Sequence, residues 1–112
     1  MTRPLCTVRR VAGVMNKTEA AYAQLLDIRQ RLGEVREYHF EALTFKLADD
    51  TRYTPDFFVV LADGTPELHE VKGFMRDDAR VKARVCARMF PFRVKVIRRA
   101  KGGAWAVEDV PP

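Results

Sequence analysis

Residues 57–61 form an unbroken apolar run, Phe-Phe-Val-Val-Leu, which ends at Ala62-Asp63-Gly64 and is followed at once by a second candidate strand, residues 65–72, with Leu68 and Val71 as its apolar residues. A run this short, bounded by turn residues and made of β-branched and aromatic side chains, predicts a buried strand rather than a helix. Asp-Gly between two such runs is a strong hairpin signal. The chain is therefore expected to contain a β-hairpin whose first strand is covered on both faces, which requires a layer above it and a layer below. Pro55 is tolerated at the head of that strand because the first residue need not donate to the ladder. Asp56 enters the first strand, and Glu70 and Lys72 leave the second. Being two apart, Glu70 and Lys72 share one face, with Val71 turned the other way into the core.

The segments around this hairpin fill in the layers. Ala21, Leu25, Ile28 and Leu32 recur at helical spacing after Asn16 and predict a helix that Gly33 stops. Glu19 lies in its first turn, on a side shared with Tyr22 and Leu26, and can face a sheet. Leu43, Phe45 and Leu47 alternate with Thr44 and Lys46 as in a half-buried strand, and residues 48–51 make the turn into the next one. A second helix is expected from Asp77 or Asp78, either of which can cap it, to about Phe90, where Pro91 stops it. Ala79, Ala83, Cys86 and Phe90 form its buried face. Residues 93–98 read as a further strand, and Trp105-Ala106-Val107 as an edge strand or a C-terminal cover. The sum is an α/β domain, a mixed sheet flanked by helices in the order α-β-β-β-α-β.

At 112 residues the chain has room for one core. Residues 16–112 are read as the single domain, and residues 1–15, which carry Arg3, Arg9 and Arg10 without periodicity, as a flexible basic arm. No stretch is long and apolar enough to span a bilayer, and the N-terminus lacks the apolar run of a signal peptide, so a cytoplasmic protein without membrane contact is expected. Cys6 and Cys86 match neither zinc-ligand nor redox-pair spacing and read as free thiols.

The net charge of +5 is unevenly spread. Residues 34–70 hold nine acids against three bases, whereas residues 73–101 hold ten bases against two acids. An acidic centre beside a basic half suits a site that holds cations in surroundings that attract polyanions. Phosphodiester hydrolysis needs a nucleophilic water, neutralisation of the phosphoryl oxygens and help for the leaving oxygen, all of which a divalent ion can supply. Magnesium is usually held by one or two carboxylates and substrate phosphate. Asp56 and Glu70 offer two carboxylates on neighbouring strands, and Lys72 a charge that would steady the transition state. Each residue has a plainer reading too: Asp56 as a turn residue, Glu70 and Lys72 as an exposed salt pair, Glu19 as the fourth position of a capping box opened by Asn16.

The combination resembles the PD-(D/E)XK nuclease superfamily, whose restriction-endonuclease-like core is a helix, a three-strand meander, a helix and a further strand. More closely, Asn16-Lys17-Thr18-Glu19 with Tyr22, Tyr53-Thr54-Pro55-Asp56-Phe57, His69-Glu70-Val71-Lys72-Gly73-Phe74, Asp78-Ala79-Arg80-Val81-Lys82 and Phe90-Pro91-Phe92 resemble a family of small phage and prophage proteins classed as domains of unknown function, endonucleases or junction resolvases. The resemblance runs from about residue 16 to residue 98. It implies Mg²⁺, with Mn²⁺ able to substitute, ligated by Asp56, Glu70 and the backbone carbonyl of Val71; Lys72 as the catalytic lysine; and Glu19 as the helix acid. It also implies a magnesium-dependent endodeoxyribonuclease acting on phage, branched or junction DNA in a bacterial host, as a homodimer where a four-way junction is cut symmetrically.

Arg80, Arg84 and Arg88, with Lys82, form a basic stretch of the second helix that reads either as a backbone-phosphate contact or as a solvated face. Tyr53 and Phe74 read as core or as base-stacking residues. His69 points away from Glu70 and Lys72 and, like His39, is assigned no role. A non-catalytic nucleic-acid-binding module on the same fold is the alternative, and a protein-interaction adaptor a third.

Overall fold

The structure, a computed structural model, describes residues 5–9, 13–72 and 77–112, without the side chains of 77 and 78. In chain order its strands and helices are β1 (Cys6–Val8), α1 (Lys17–Arg31), β2 (Val35–Phe40), β3 (Leu43–Ala48), β4 (Thr51–Tyr53), β5 (Phe57–Leu61), β6 (Pro66–Val71), α2 (Asp77–Met89), β7 (Arg93–Arg99) and β8 (Trp105–Val110). The expected stop at Gly73, a stacking role for Phe74 and the capping side chains of Asp77 and Asp78 lie outside the described residues.

Five strands form a mixed sheet in the order β2-β5-β6-β7-β8, and β1-β3-β4 form a smaller antiparallel sheet. The hairpin expected at Asp63-Gly64 is β5–β6, antiparallel with Phe57 opposite His69 and Phe58 opposite Leu68. Its turn closes through Leu61 N–H to the Thr65 carbonyl and Gly64 N–H to the Leu61 carbonyl, both 2.9 Å, with Gly64 at φ 90°. That left-handed backbone is cheap only without a Cβ. β6 and β7 run parallel, so α2 between them is a crossover helix, and β8 returns antiparallel along the edge.

Both faces of the sheet are covered, as the apolar run of β5 requires. On one face Tyr22, Ala23 and Leu26 of α1 pack on Val35, Phe57, Val59, Val71 and Ile97. On the other, Ala83, Cys86 and Ala87 of α2, with Phe45 and Tyr53 of the small sheet, pack on Leu68, Val94 and Val96. Strand alternation thus sends Val71 to the α1 layer and Glu70 towards the α2 layer. No helix among the described residues is long and apolar enough to cross a membrane.

Four expectations are corrected. The strand that precedes β5 in the main sheet is β2, not the stretch around Leu43, Phe45 and Leu47. A register shift between Val35 and Glu37, together with Arg36, breaks the period-two pattern of β2, whereas the cleanly alternating β3 belongs to the small sheet. The turn at Asp49-Asp50 leads into β4, an unexpected short strand paired with β3. The buried side of α1 is Glu19, Tyr22, Ala23 and Leu26; Ile28 and Leu32, at the centre of the expected stripe, are 50% and 68% exposed. Both sides of this helix are apolar enough to bury, and the side whose tyrosine also finds a polar partner under the helix is the one that docks. Finally, part of the expected arm is structured: Cys6–Val8 pairs with Phe45, Thr44 and Leu43. Cys6 and Cys86 are free thiols, and burial pushes the Cys86 thiol up to about 12.

Candidate active site

Asp56 precedes β5 and Glu70 lies near the end of β6. Because Phe57 stands opposite His69, the antiparallel register makes Asp56 and Glu70 the next facing pair, at the open end of the hairpin. Each holds the other's strand in place. Val71 N–H donates to Asp56 Oδ2 at 2.8 Å, and Asp56 N–H donates to Glu70 Oε2 at 3.3 Å. Tyr53, at the end of β4, donates its hydroxyl to the same Glu70 oxygen at 3.2 Å. The small sheet therefore bears directly on this pair: it carries the hydroxyl that holds Glu70 Oε2. Tyr53, with one reading as a stacking residue, is 5% exposed and part of the core.

Two carboxylates 6% and 5% exposed and this close to each other disfavour joint ionisation. Asp56 is pushed up to about 8, by burial first and then by the Glu70 charge, against the pull of the Val71 N–H and of Lys72. Burial raises Glu70 too, opposed by the Lys72 charge and by the bonds from Asp56 N–H and Tyr53. Lys72 Nζ stands 3.7 Å from Glu70 Oε1, on a side chain about one-third exposed, so its ammonium is at once paired and reachable. Lys72 N–H is anchored on the Ile97 carbonyl at 2.9 Å, which ties the end of β6 to β7.

Glu19 has two connections. Its N–H donates to Asn16 Oδ1 at 2.8 Å and its Oε1 accepts from the Asn16 N–H at 2.9 Å, a complete capping box. The same buried carboxylate adds negative charge that raises both Asp56 and Glu70. The structure thus brings Glu70 into contact with both Asp56 and Lys72, and Glu19 within electrostatic reach of the two acids.

Among the described residues, no three His, Cys, Asp or Glu side chains form a group that would hold a metal ion by themselves. The two-carboxylate pair nevertheless fits magnesium, which keeps several waters and accepts one or two protein carboxylates. Asp56 Oδ1 accepts no hydrogen bond from the described residues, and both acids are raised, first by burial and then by neighbouring carboxylate charge, a load that a bound cation relieves.

The basic residues of α2 divide. Arg84 and Arg88 are exposed on the side begun by Arg80, while Lys82 is half-buried on the opposite flank of the helix. Arg80 is engaged with Glu108 of β8 at 2.9 Å.

His69, assigned no role from sequence, is 1% exposed on the α1 face, where Glu67 Oε1 lies 2.9 Å from its Nε2 and the Tyr22 hydroxyl 2.7 Å from its Nδ1. A carboxylate only accepts, so Nε2 carries the proton, and neutral Nδ1 takes the Tyr22 O–H. Burial holds the His69 pKa below its ordinary value, despite the Glu67 charge. Burial is the largest influence on Glu67 and works against its charge, but the His69 bond and the nearby positive charges of Lys95 and Arg93 together outweigh it and Glu67 lies low. This strut docks α1 onto β6 beside a cleft of about 410 Å³ lined by Arg29, Glu67 and Lys95. Tyr22→Phe strands a buried acceptor and is expected to cost about 1–3 kcal/mol by urea denaturation. A depressed histidine stabilises the fold fully above its unfolded pKa, near 6.5, and loses that contribution as pH falls. Melting temperature from pH 7 to 5 is accordingly expected to drop more steeply in wild type than in His69→Gln. Period-two alternation places Glu67 and His69 on one face; nothing local signals Tyr22, 47 residues before His69.

No family model, no curated protein and no solved structure matches this chain.

Proposed function

We propose that the protein is a metal-dependent DNA endonuclease of the PD-(D/E)XK kind, with Asp56, Glu70 and Lys72 as its site. The reciprocal clasp of Asp56 and Glu70 at the open end of β5–β6, with the Lys72 ammonium 3.7 Å from Glu70, carries the reading. A buried salt pair alone would need one acid for one lysine; a second buried acid is a cost unless a cation is to be shared. Chain order adds support, because α1, β2, β5, β6, α2 and β7 follow the order α-β-β-β-α-β once β3 and β4 are set aside as an insertion.

Asp56, Glu70 and the Val71 carbonyl would hold Mg²⁺ or Mn²⁺. When bound, the ion supplies Lewis acidity towards the scissile phosphate and a water of lowered pKa. The chain's own groups do the positioning. Tyr53 and the Asp56 N–H fix Glu70, the Val71 N–H fixes Asp56, and Lys72 offers positive charge where negative charge grows on the phosphoryl oxygens. Glu19 strengthens the negative field at the pair from the first turn of α1.

Calorimetric titration with Mg²⁺ is expected to give saturable binding that disappears in Asp56→Ala, and supercoiled or branched DNA is expected to be cut with Mg²⁺ and spared in EDTA. Salt-sensitive DNA binding that ignores both the metal and Asp56 would contradict the enzyme and favour the non-catalytic module.

A further inference from the structure

The face of the sheet that carries Glu70 and Lys72 continues across two more strands. Val71 pairs with Ile97, so Lys72 and Arg98 each lie one residue beyond that pair, and alternation turns both to the face of Glu70 and Val96. Glu108 of β8, opposite Val96, is on that face as well. Its two oxygens are divided between two guanidiniums: Oε1 is 2.9 Å from Arg80 Nη1, in the first turns of α2, and Oε2 is 3.8 Å from Arg98 Nη2 on β7. Arg84 joins Arg80 and Glu108 in lining a cleft of about 270 Å³.

We propose, resting on the nuclease reading, that Arg80 and Arg98 are a clamp for a backbone phosphate of the DNA strand beside the scissile position, with Glu108 occupying the phosphate's place until DNA arrives. An anion whose oxygens are shared by two guanidiniums is the arrangement a phosphodiester adopts between arginines. The three side chains are 38–46% exposed, so the clamp is open to solvent. Exposed ion pairs stabilise a fold little, and Glu108 gives way to an incoming phosphate at small cost. Keeping the guanidiniums paired and oriented in the free protein also lowers the ordering they undergo on binding. Arg98 stands one strand from Lys72, close to 4.8 Å in sheet geometry, so a phosphate held there sets the strand's register over the Asp56–Glu70 pair.

The test is fluorescence anisotropy of a short fluorescein-labelled DNA duplex, in EDTA so that nothing is cut, over a series of NaCl concentrations. Arg98→Ala is expected to weaken binding about tenfold at low salt and to lower the slope of log K against log salt by about 1, and Arg80→Ala to do the same. Glu108→Gln is expected to tighten binding about three- to tenfold. The controls are Arg36→Ala and Glu37→Gln on β2, at the opposite edge of the sheet, which change charge equally and are expected to change affinity less than twofold. Melting curves of each variant exclude loss of fold as the cause. Unchanged slopes for Arg98→Ala and Arg80→Ala, or a Glu108→Gln effect no larger than that of Glu37→Gln, overturn the clamp. If Mg²⁺-dependent cleavage persists in those variants, the nuclease reading survives that failure. A wild type that neither binds nor cuts DNA overturns both.

Discussion

Replacing Lys72 by alanine is expected to slow Mg²⁺-dependent DNA nicking about 10²–10³-fold, the usual loss when a positioned electrostatic donor is removed from a transition state. The fold is expected to tolerate the change, because the side chain is about one-third exposed and meets Glu70 only at 3.7 Å. Lys72 also opposes the burial that raises Glu70. In its absence Glu70 ionises at higher pH, and the acid limb of the rate profile moves to higher pH. Lys72→Arg keeps the charge and restores that limb, even where the longer, planar head is a poorer fit at the phosphate. A rate that falls with no shift of the acid limb would mean that Lys72 acts on the phosphate alone.

Asp56→Asn is expected to abolish cleavage and, in the metal-free protein, to raise stability at alkaline pH. Asp56 is pushed up to about 8 from an ordinary 3.8, so folding favours its protonated form. That contribution is complete below the unfolded pKa and is lost as pH rises through about 8. Wild type without metal thus loses stability between about pH 4 and 8 that the asparagine variant retains, while the Val71 N–H still finds an oxygen at position 56. The gain expected at pH 9 is at least about 1 kcal/mol, or roughly 4 °C or more in melting temperature for a domain of this size. Mg²⁺ is expected to return the lost stability to wild type and to leave Asp56→Asn unmoved, since a ligand stabilises only the state that binds it. Equal pH dependence in the two proteins would remove the electrostatic basis of the site.

The legible parts of this fold were those whose information is local. The run of residues 57–61 and Asp63-Gly64 specify a hairpin, and a hairpin's register fixes which residues face one another, so Asp56 and Glu70 could be paired without a structure. The buried face of α2, Ala83 and Cys86, followed from period alone. β2 did not, because its bulge and its charged Arg36 and Glu37 hide a strand that only its pairing with β5 defines. The orientation of α1 was ambiguous because apolar residues occur on both its sides, and what decides between them is Tyr22 meeting His69. Tyr53 over Glu70, and Arg80 with Arg98 around Glu108, join segments between 10 and 28 residues apart; no periodicity records such meetings. The basic half was visible as charge, and helical period alone sets Lys82 and Arg80 on opposite sides of α2, yet only the sheet shows that Arg98 lies on the face of Lys72.

The most direct measurement is nicking of supercoiled DNA in Mg²⁺ by the wild-type protein beside Glu70→Ala and Lys72→Ala, each checked for an intact fold by its melting curve. Nicking by the wild type that stops in EDTA and falls at least about 10²-fold in both variants is the predicted result. Equal nicking by all three proteins would contradict the site.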